Sequence, residues 1–173
     1  MDTKIRAMVF DDDAGIRSVL VYILEERGYD VWGFARASVC QTCRCPQNHL
    51  CADIIICDVS MPGLTGVEFL EHQSMRGCRN KNVALMSAYW SESDRRRTTG
   101  LGCQVFQKPF SIAELTNWLD DCEKTIDPNR VLTSWFQENA QAVVLEEDPY
   151  QRVAAVVGSL RCSQGNARSM RIL

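Results

Sequence analysis

Polar side chains suited to phosphoryl and metal chemistry follow four short apolar runs of this chain. Asp11 and Asp12 follow the first run, Asp58 the second, Ser87 the third and Lys108 the fourth. Such runs are typical of buried parallel strands. In an open α/β sheet the carboxyl ends of the strands line one crevice, and ligands bind there. We therefore expect three carboxylates, one hydroxyl and one amine to converge on a single site.

The types of these groups indicate which chemistry the site supports. A carboxylate can act as a nucleophile and form an aspartyl phosphate, and phosphoryl transfer needs mainly positioning and charge neutralisation. Mg²⁺ prefers oxygen ligands and commonly uses one or two carboxylates together with phosphate oxygens. Asp12 and Asp58 suit direct ligation of such an ion. Lys108 offers a mobile cation for phosphoryl oxygens, and Ser87 offers a hydroxyl donor if its side chain faces the site.

Each of these residues also has an ordinary structural interpretation. Adjacent acids more often form a charge cluster at a helix N-terminus, where the dipole favours them, and we expect Asp13 to have that role. A single Asp after a strand is usually a cap or a loop residue, and a single Lys-Pro pair is usually a turn. The agreement of four positions in order and spacing favours the functional interpretation of the set.

Alternating strands and helices position these groups. The predicted strands cover residues 5–10, 29–34, 53–57, 83–86 and 104–107. The predicted helices cover residues 14–27, a stretch opened by Gly66, residues 93–99, and a stretch begun by a capping box of Ser111 and Glu114. Gly28 is expected to end the first helix as a left-handed cap. This alternation predicts a parallel sheet covered on both faces.

Four segments carry a resemblance to a known family. MVFDDDAGIRSVL, IIICDVSMPGLTGVEFL, ALMSAY and VFQKPFSIAEL resemble, in order and spacing, the receiver domain of two-component response regulators. The resemblance extends from about Lys4 to Lys124. It implies a doubly wound, flavodoxin-like α/β fold with five parallel strands in the order 2-1-3-4-5.

The resemblance also implies a role for each polar group. It makes Asp58 the phosphorylated carboxylate. It assigns Asp11 and Asp12 to a Mg²⁺ ion, with Asp11 acting through water. It gives Ser87 and Lys108 the contacts with the phosphoryl group.

Further positions either follow the family pattern or depart from it. By resemblance, the backbone carbonyl of Ser60 is the remaining Mg²⁺ ligand and Pro109 follows a cis peptide bond. Receivers usually carry an aromatic residue three positions before the Lys, and here that residue is Val105. Its neighbour Phe106 is expected to point to the opposite face of the strand, because side chains alternate along a strand. The departure concerns the relay of the signal and leaves the phosphorylation chemistry intact.

Composition limits the class of protein. We expect a receiver domain over residues 1–126 and an extension over residues 127–173. The formal charge of −3 and the pI near 5.4 argue against generic nucleic-acid binding. No apolar stretch approaches the length of a membrane span, and the N-terminus lacks the pattern of a signal peptide. These features predict a cytoplasmic protein without membrane contact, and the resemblance implies a bacterial one.

The extension is predicted to be helical. Helix-compatible stretches cover residues 130–145 and 150–160, separated by Asp148-Pro149, and the last roughly 12 residues are expected to be frayed. We see no three-helix pattern with a recognition helix, so DNA binding is not expected. Trp135 and Phe136 are expected to pack on the receiver or across a homodimer. The tail after Pro149 is basic and acid-free, which leaves contact with nucleic acid or an acidic partner open.

Nine cysteines are unexpected in a reduced compartment, and four of them are clustered. Cys40, Cys43, Cys45 and Cys51 form C-x₂-C-x-C-x₅-C, in the segment where a receiver normally has its second helix. Tight thiolate spacing suits Zn²⁺ or an iron–sulfur cluster, which would make a second metal site. The spacing matches no common zinc or ferredoxin pattern, so a loop of reduced thiols or a reversible cysteine pair stays open.

These observations together predict a phosphoacceptor response regulator. A sensor histidine kinase or a phosphotransfer protein would donate the phosphoryl group to Asp58 in a Mg²⁺-dependent reaction. The protein would assist its own phosphorylation and dephosphorylation without being an enzyme in the ordinary sense. It would signal by contact with a downstream protein target. One alternative is a metal- or redox-responsive interaction protein that uses the cysteine cluster of residues 40–51 on a receiver scaffold, and another is a short transcription factor acting through its basic tail.

Overall fold

The computed structural model describes residues 4–37 and 50–133, and the backbone of residues 171–172. Strands and helices alternate along the first of these ranges and most of the second. The strands are β1 (Arg6–Phe10), β2 (Asp30–Phe34), β3 (Ile54–Asp58), β4 (Val83–Ser87), β5 (Gln104–Gln107), β6 (Phe110–Ser111) and β7 (Arg171–Ile172). The helices are α1 (Ala14–Glu26), α2 (Gly66–Met75), α3 (Glu92–Leu101) and α4 (Ile112–Thr125). The bounds of the receiver elements lie within one or two residues of those predicted.

The five main strands form one parallel sheet in the order β2-β1-β3-β4-β5. This order confirms the doubly wound α/β fold that the resemblance implied. The residues of β1, β3 and β4 are all buried, as continuous apolar runs predict for central parallel strands. Asp11, Asp58 and Ser87 therefore follow or end strands that have a neighbouring strand on each side, whereas Lys108 follows the edge strand β5.

Each face of the sheet has its own apolar core. On one face Phe10 stacks on Phe34 and is tilted against Phe69, with ring centroids 5.2 Å and 5.1 Å apart. On the other face, apolar residues of β1 and β3 pack against α1 and α4, including Leu20 and Leu115, which are fully buried. Burial of this kind is the main favourable contribution to folding. It holds the sheet as a rigid platform for the site.

Local signals set the beginnings of the helices, as the sequence predicts. Asp13 caps α1 by accepting a hydrogen bond from Ile16 N over 2.9 Å. Ser111 and Glu114 form the expected capping box at the start of α4. Gly28, just beyond the end of α1, has φ of +86°, the left-handed conformation that glycine adopts without strain.

The extension differs in part from the prediction. Residues 130–133 are not helical, and Leu132 instead forms a parallel bridge with Leu50. The remaining residues of the two predicted helices lie outside the described part of the chain. We expected the last residues to be frayed, whereas Arg171–Ile172 pair antiparallel with Phe110–Ser111. Tertiary pairing of this kind is invisible to local helical periodicity.

None of the helices in the described ranges is both long enough and apolar enough to cross a membrane.

Candidate functional site

The carboxyl ends of neighbouring strands place two acidic residues side by side. Phe10 pairs with Cys57 across β1 and β3, so Asp11 and Asp58 are the next residues on adjacent strands. Both residues are buried, at 1% and 5% exposed. Parallel strands in register bring the residues at their carboxyl ends to the same edge of the sheet. The predicted convergence of these two carboxylates is therefore present.

Lys108 reaches this pair from the other side of β4. Its backbone N–H donates to the Ser87 carbonyl over 2.8 Å, which continues the pairing of β4 with β5 past Gln107. Its ammonium then donates to Asp58 Oδ1 over 2.6 Å and to Asp11 Oδ2 over 3.0 Å. The peptide bond between Lys108 and Pro109 is cis, as the resemblance implied. One buried cation thus bridges two buried carboxylates.

Backbone donors hold the other oxygen of each carboxylate. Asp58 Oδ2 accepts from Ser60 N over 2.6 Å, and Asp11 Oδ1 accepts from Asp13 N over 2.9 Å. Each carboxylate is therefore fixed at both oxygens, by the backbone on one side and by Lys108 on the other. Such contacts preorganise a charged group and reduce the reorganisation needed for reaction.

The balance of charge in the pocket perturbs its ionisable groups. Burial raises the pKa of Asp11, the contact with Lys108 opposes this effect, and the charge of Asp58 adds to it. Burial works to lower the pKa of Lys108, but hydrogen bonds and charge from both carboxylates outweigh it, so the pKa of the ammonium is raised. Burial thus dominates the shift at Asp11, whereas the two carboxylates dominate the shift at Lys108. Lys108 therefore stays protonated at neutral pH, and burial disfavours the ionised form of Asp11.

Asp12 follows Asp11 at the same edge of the sheet, and Arg17, which is outside the predicted set of site residues, holds its backbone. Asp12 is exposed, whereas Arg17 on α1 is buried at 8% exposed. Arg17 Nη1 donates to the Asp11 carbonyl over 2.6 Å and to the Asp12 carbonyl over 3.4 Å. A signal was available, since Arg17 follows the acidic cluster by one helical turn. Helical spacing would instead put Val19 on the apolar face of α1, yet Val19 is 40% exposed.

Ser87 ends β4 beside the pocket, but its hydroxyl is engaged elsewhere. Its Oγ donates to the Tyr89 carbonyl over 2.5 Å and accepts from Tyr89 N over 3.2 Å. Ser87 is fully buried, and Tyr89 is 77% exposed. The hydroxyl therefore closes a short turn after β4, and its contact with a phosphoryl group stays a prediction. Of the predicted set, the structure brings Asp11, Asp58 and Lys108 into direct contact.

Gly66 is required by its close approach to the Asp58 backbone. A Cβ on residue 66 would lie 2.3 Å from the Asp58 carbonyl oxygen and 3.1 Å from Cys57 Sγ. Gly66 N also donates to the Val59 carbonyl over 3.0 Å. The start of α2 therefore lies against the strand end that carries Asp58, at a distance that no larger residue permits.

The strand before Lys108 has the side-chain directions that were expected. Val105 is exposed, whereas Phe106 is buried. The Phe106 ring stacks on Phe110 at 4.9 Å between centroids and meets Trp118 edge-on at 5.9 Å. Phe106 therefore belongs to the core under α4. It does not replace the aromatic residue that receivers usually carry at the position of Val105.

The donor set of the pocket fits a hard divalent cation. Two buried carboxylates against one ammonium leave a net negative charge, and Asp12 adds another at the rim. Oxygen donors of this kind suit Mg²⁺. Within residues 4–37 and 50–133, no three carboxylate, imidazole or thiol groups form a preformed cluster. The predicted ligation by Asp11, Asp12, Asp58 and the Ser60 carbonyl stays an expectation based on resemblance.

The predicted cysteine site lies largely beyond the described residues. Cys40, Cys43 and Cys45 fall in the range 38–49, outside the described part of the chain. Cys51 is described, and it is buried at 4% exposed in the apolar core that contains Phe34. Nothing in the described residues supports zinc or an iron–sulfur cluster, and that site stays a prediction.

Comparison with curated proteins identifies relatives over the same region. A probable transcriptional regulatory protein of Picosynechococcus sp. is 30% identical over 120 residues, which cover 66% of this chain and 47% of that protein. The phosphate regulon transcriptional regulatory protein PhoB of Escherichia coli is 28% identical over 128 residues, which cover 73% of this chain and 55% of PhoB. The chain thus spans about half the length of these relatives.

Comparison with solved structures shows the same fold. The chemotaxis response regulator CheY4 of Vibrio cholerae has a TM-score of 0.56 at 24% identity and covers 69% of this chain and 99% of its own. The non-phosphorylated HemR receiver domain of Leptospira biflexa has a TM-score of 0.61 at 23% identity. The match covers 73% of this chain and 99% of the HemR domain. The family profile of the response regulator receiver domain matches residues 7–120. This chain therefore belongs to the two-component response regulators, with its receiver domain in the first two thirds of the sequence.

Proposed function

We propose that this chain is a phosphoacceptor of a two-component phosphorelay and that Asp58 accepts the phosphoryl group. The donor would be a phosphohistidine of a sensor kinase or of a phosphotransfer protein. The contact of the Lys108 ammonium with Asp58 Oδ1, over 2.6 Å in a buried pocket, carries the proposal. It places a cation beside the buried carboxylate that ends β3, in the middle of the sheet.

The proposed step is an in-line displacement at phosphorus. A bond forms between a carboxylate oxygen of Asp58 and the phosphorus atom, and the bond from phosphorus to the imidazole nitrogen of the donor breaks. The imidazole keeps the electron pair as the leaving group. As one Asp58 oxygen becomes an acyl phosphate oxygen, the Lys108 ammonium transfers its hydrogen bond to a phosphoryl oxygen. Positioning and charge neutralisation account for most of the catalysis in such transfers.

The residues that would hold Mg²⁺ are the acidic groups at the same edge of the sheet. Asp12 and Asp58 suit direct ligation, Asp11 suits a water-mediated contact, and the Ser60 carbonyl completes the protein ligands that the family implies. When bound, Mg²⁺ supplies neutralisation of charge on the phosphoryl oxygens. The buried negative charge of Asp11 and Asp58, only partly offset by Lys108, supports this assignment.

The phosphorylated state would signal through the turn after β4. The Ser87 hydroxyl would leave the Tyr89 carbonyl and donate to the phosphoryl group, which would release the Tyr89 backbone and shift the surface there. The downstream target is proposed to be a protein, and a homodimer fits the same scheme. The curated relatives are transcriptional regulators and extend well beyond the matched region, so an output that involves DNA remains compatible with the family.

Acetyl phosphate with Mg²⁺ tests the proposal, because this small donor replaces an unidentified kinase. Intact-mass spectrometry of the full chain is expected to show one phosphoryl adduct that needs Mg²⁺ and is absent from Asp58→Asn. Asp13→Asn is a matched control, because it removes a neighbouring negative charge while asparagine keeps the helix cap. An unmodified chain, or an adduct that persists in Asp58→Asn but not in Asp13→Asn, would overturn the proposal.

A further inference from the structure

The chain beyond α4 returns across the amino-terminal edge of the sheet, opposite Asp58. Arg6 and Asp30 begin β1 and β2, and Asp53 immediately precedes β3, so these three residues mark that edge. Residues 130–133, which we call the strap, lie against it. Receiver chemistry at the carboxyl edge makes no use of these contacts.

A two-bond ion pair anchors the strap. Arg130 Nε donates to Asp53 Oδ1 over 2.7 Å and Arg130 Nη2 donates to Asp53 Oδ2 over 2.8 Å, while Nη2 also donates to the Lys4 carbonyl over 3.1 Å. The side chains of Arg130 and Asp53 are 9% and 1% exposed. Planar two-bond pairing of this type is geometrically specific and stronger than a single neutral hydrogen bond. Burial shields it from solvent screening.

A second arginine holds the far end of the strap. Arg6 Nη1 donates to the Thr133 carbonyl over 2.8 Å, and Arg6 Nε donates to Asp30 Oδ2 over 3.1 Å. The Arg6 backbone N–H donates to Asp53 Oδ2 over 2.8 Å. Asp53 therefore receives hydrogen bonds from the strap and from β1 at once. Both ends of the strap therefore form hydrogen bonds within one buried polar network.

The strap also pairs with Leu50, next to the last cysteine of the cluster of residues 40–51. Leu50 N donates to the Val131 carbonyl over 3.1 Å, and Thr133 N donates to the Leu50 carbonyl over 2.9 Å. Both backbone groups of Leu50 are thus satisfied by the strap. The next residue, Cys51, is the last member of the cysteine motif and is buried at 4% exposed.

We propose that the amino-terminal edge of the receiver is a docking surface for the strap, and that this dock also keeps Cys51 buried. Release of the strap and exposure of the Cys51 thiol are then two aspects of one local opening. Coupling between two sites is reciprocal, so a modified Cys51 would in turn weaken the dock. The proposal is independent of Asp58 phosphorylation and survives if that function fails.

Pulsed thiol labelling of the full, reduced chain with iodoacetamide tests the coupling. Peptide mass mapping reads the labelling rate of Cys51 against Cys57 and Cys122, which are also buried and report wider unfolding. In Arg130→Ala the Cys51 rate is expected to rise about tenfold or more relative to those two thiols, because a loss of about 1.4 kcal/mol is a factor of ten. Arg97→Ala is the matched control. Arg97 on α3 makes the same kind of two-bond pair with Glu71 on α2.

Two labelling results would contradict the proposal. If Arg130→Ala leaves the Cys51 rate unchanged, or raises all three rates equally, Cys51 is not sequestered by the dock and the proposal is wrong. Arg130→Lys serves if the alanine variant does not fold, because lysine keeps the charge but cannot pair in the two-bond mode. In the reverse direction, hydrogen exchange of the Thr133 amide is expected to accelerate once Cys51 is alkylated. Unchanged exchange would overturn the reciprocal coupling.

Discussion

Only 2.6 Å separates the Lys108 ammonium from Asp58 Oδ1, although the two residues are 50 positions apart in the chain. The same ammonium lies 3.0 Å from Asp11 Oδ2. Lys108 is therefore the counter-charge of two buried carboxylates and, under the proposed function, the group that would follow the transferred phosphoryl group. Its removal should affect stability and chemistry in ways that can be separated.

The first prediction concerns Lys108→Met. Loss of the cation leaves Asp11 and Asp58 buried beside each other, so the free energy of unfolding at neutral pH is expected to fall by about 3–5 kcal/mol. Added Mg²⁺ should recover part of that loss, since a ligand that binds only the folded state stabilises it. Urea titrations with and without Mg²⁺ measure both effects. Lys124→Met removes an exposed ion pair with Asp121. It should change neither the free energy of unfolding nor its response to Mg²⁺.

The second prediction concerns the pH dependence of Asp11. Its pKa in the folded protein is raised above the ordinary value of 3.8, mainly by burial. The folded state then binds the proton more tightly than the unfolded state, so this group lowers stability as pH rises from 3.8 through the folded value. Asp11→Asn removes that effect. The variant should gain stability over the wild type across this window and keep the gain at neutral pH.

Urea titrations at a series of pH values measure this difference. At pH well below 3.8 the gain should vanish, because Asp11 is then neutral in both states. The same variant should bind Mg²⁺ more weakly, which would make Asp11 a residue whose function opposes stability. A wild type that gains stability over Asp11→Asn as pH rises would contradict the prediction.

The third prediction concerns Gly66→Ala. The added Cβ would lie 2.3 Å from the Asp58 carbonyl oxygen, so α2 or the end of β3 must move. We expect a loss of about 1–3 kcal/mol in stability, as for other overpacked sites, together with slower modification of Asp58 by acetyl phosphate. Gly100→Ala on α3 meets open space and should instead be neutral or stabilising by about 0.5–1 kcal/mol. Equal behaviour of the two variants in thermal unfolding would argue against the close approach.

The fourth prediction concerns Arg17 as a positioning residue. Its guanidinium holds the Asp11 and Asp12 carbonyls and thereby sets where both acids present their side chains. In Arg17→Met the Mg²⁺ concentration for half-saturation, measured by calorimetry, is expected to rise about tenfold, as is usual when residues that orient metal ligands are removed. Arg17→Lys should recover part of the affinity. If Arg17→Met folds and the Mg²⁺ concentration for half-saturation is unchanged, Arg17 has a structural role only.

Local signals in the sequence are enough to predict the receiver elements and the positions of the predicted site residues at the strand ends. Apolar runs, helical spacing and caps are local signals, which is why Asp13, Ser111 and Gly28 have the predicted roles. The convergence of Asp11 with Asp58 follows as well, because parallel strands in one sheet share a carboxyl edge.

Contacts between distant parts of the chain could not be predicted from these local signals. The buried orientation of Arg17, the turn made by the Ser87 hydroxyl and the pairing of Arg130 with Asp53 depend on what each side chain meets after folding. Residues 130–133 had a helical pattern, yet they lie non-helical along the sheet edge. Long-range hydrogen bonds and a buried ion pair there outweigh a helix propensity that amounts to less than about 1 kcal/mol per residue.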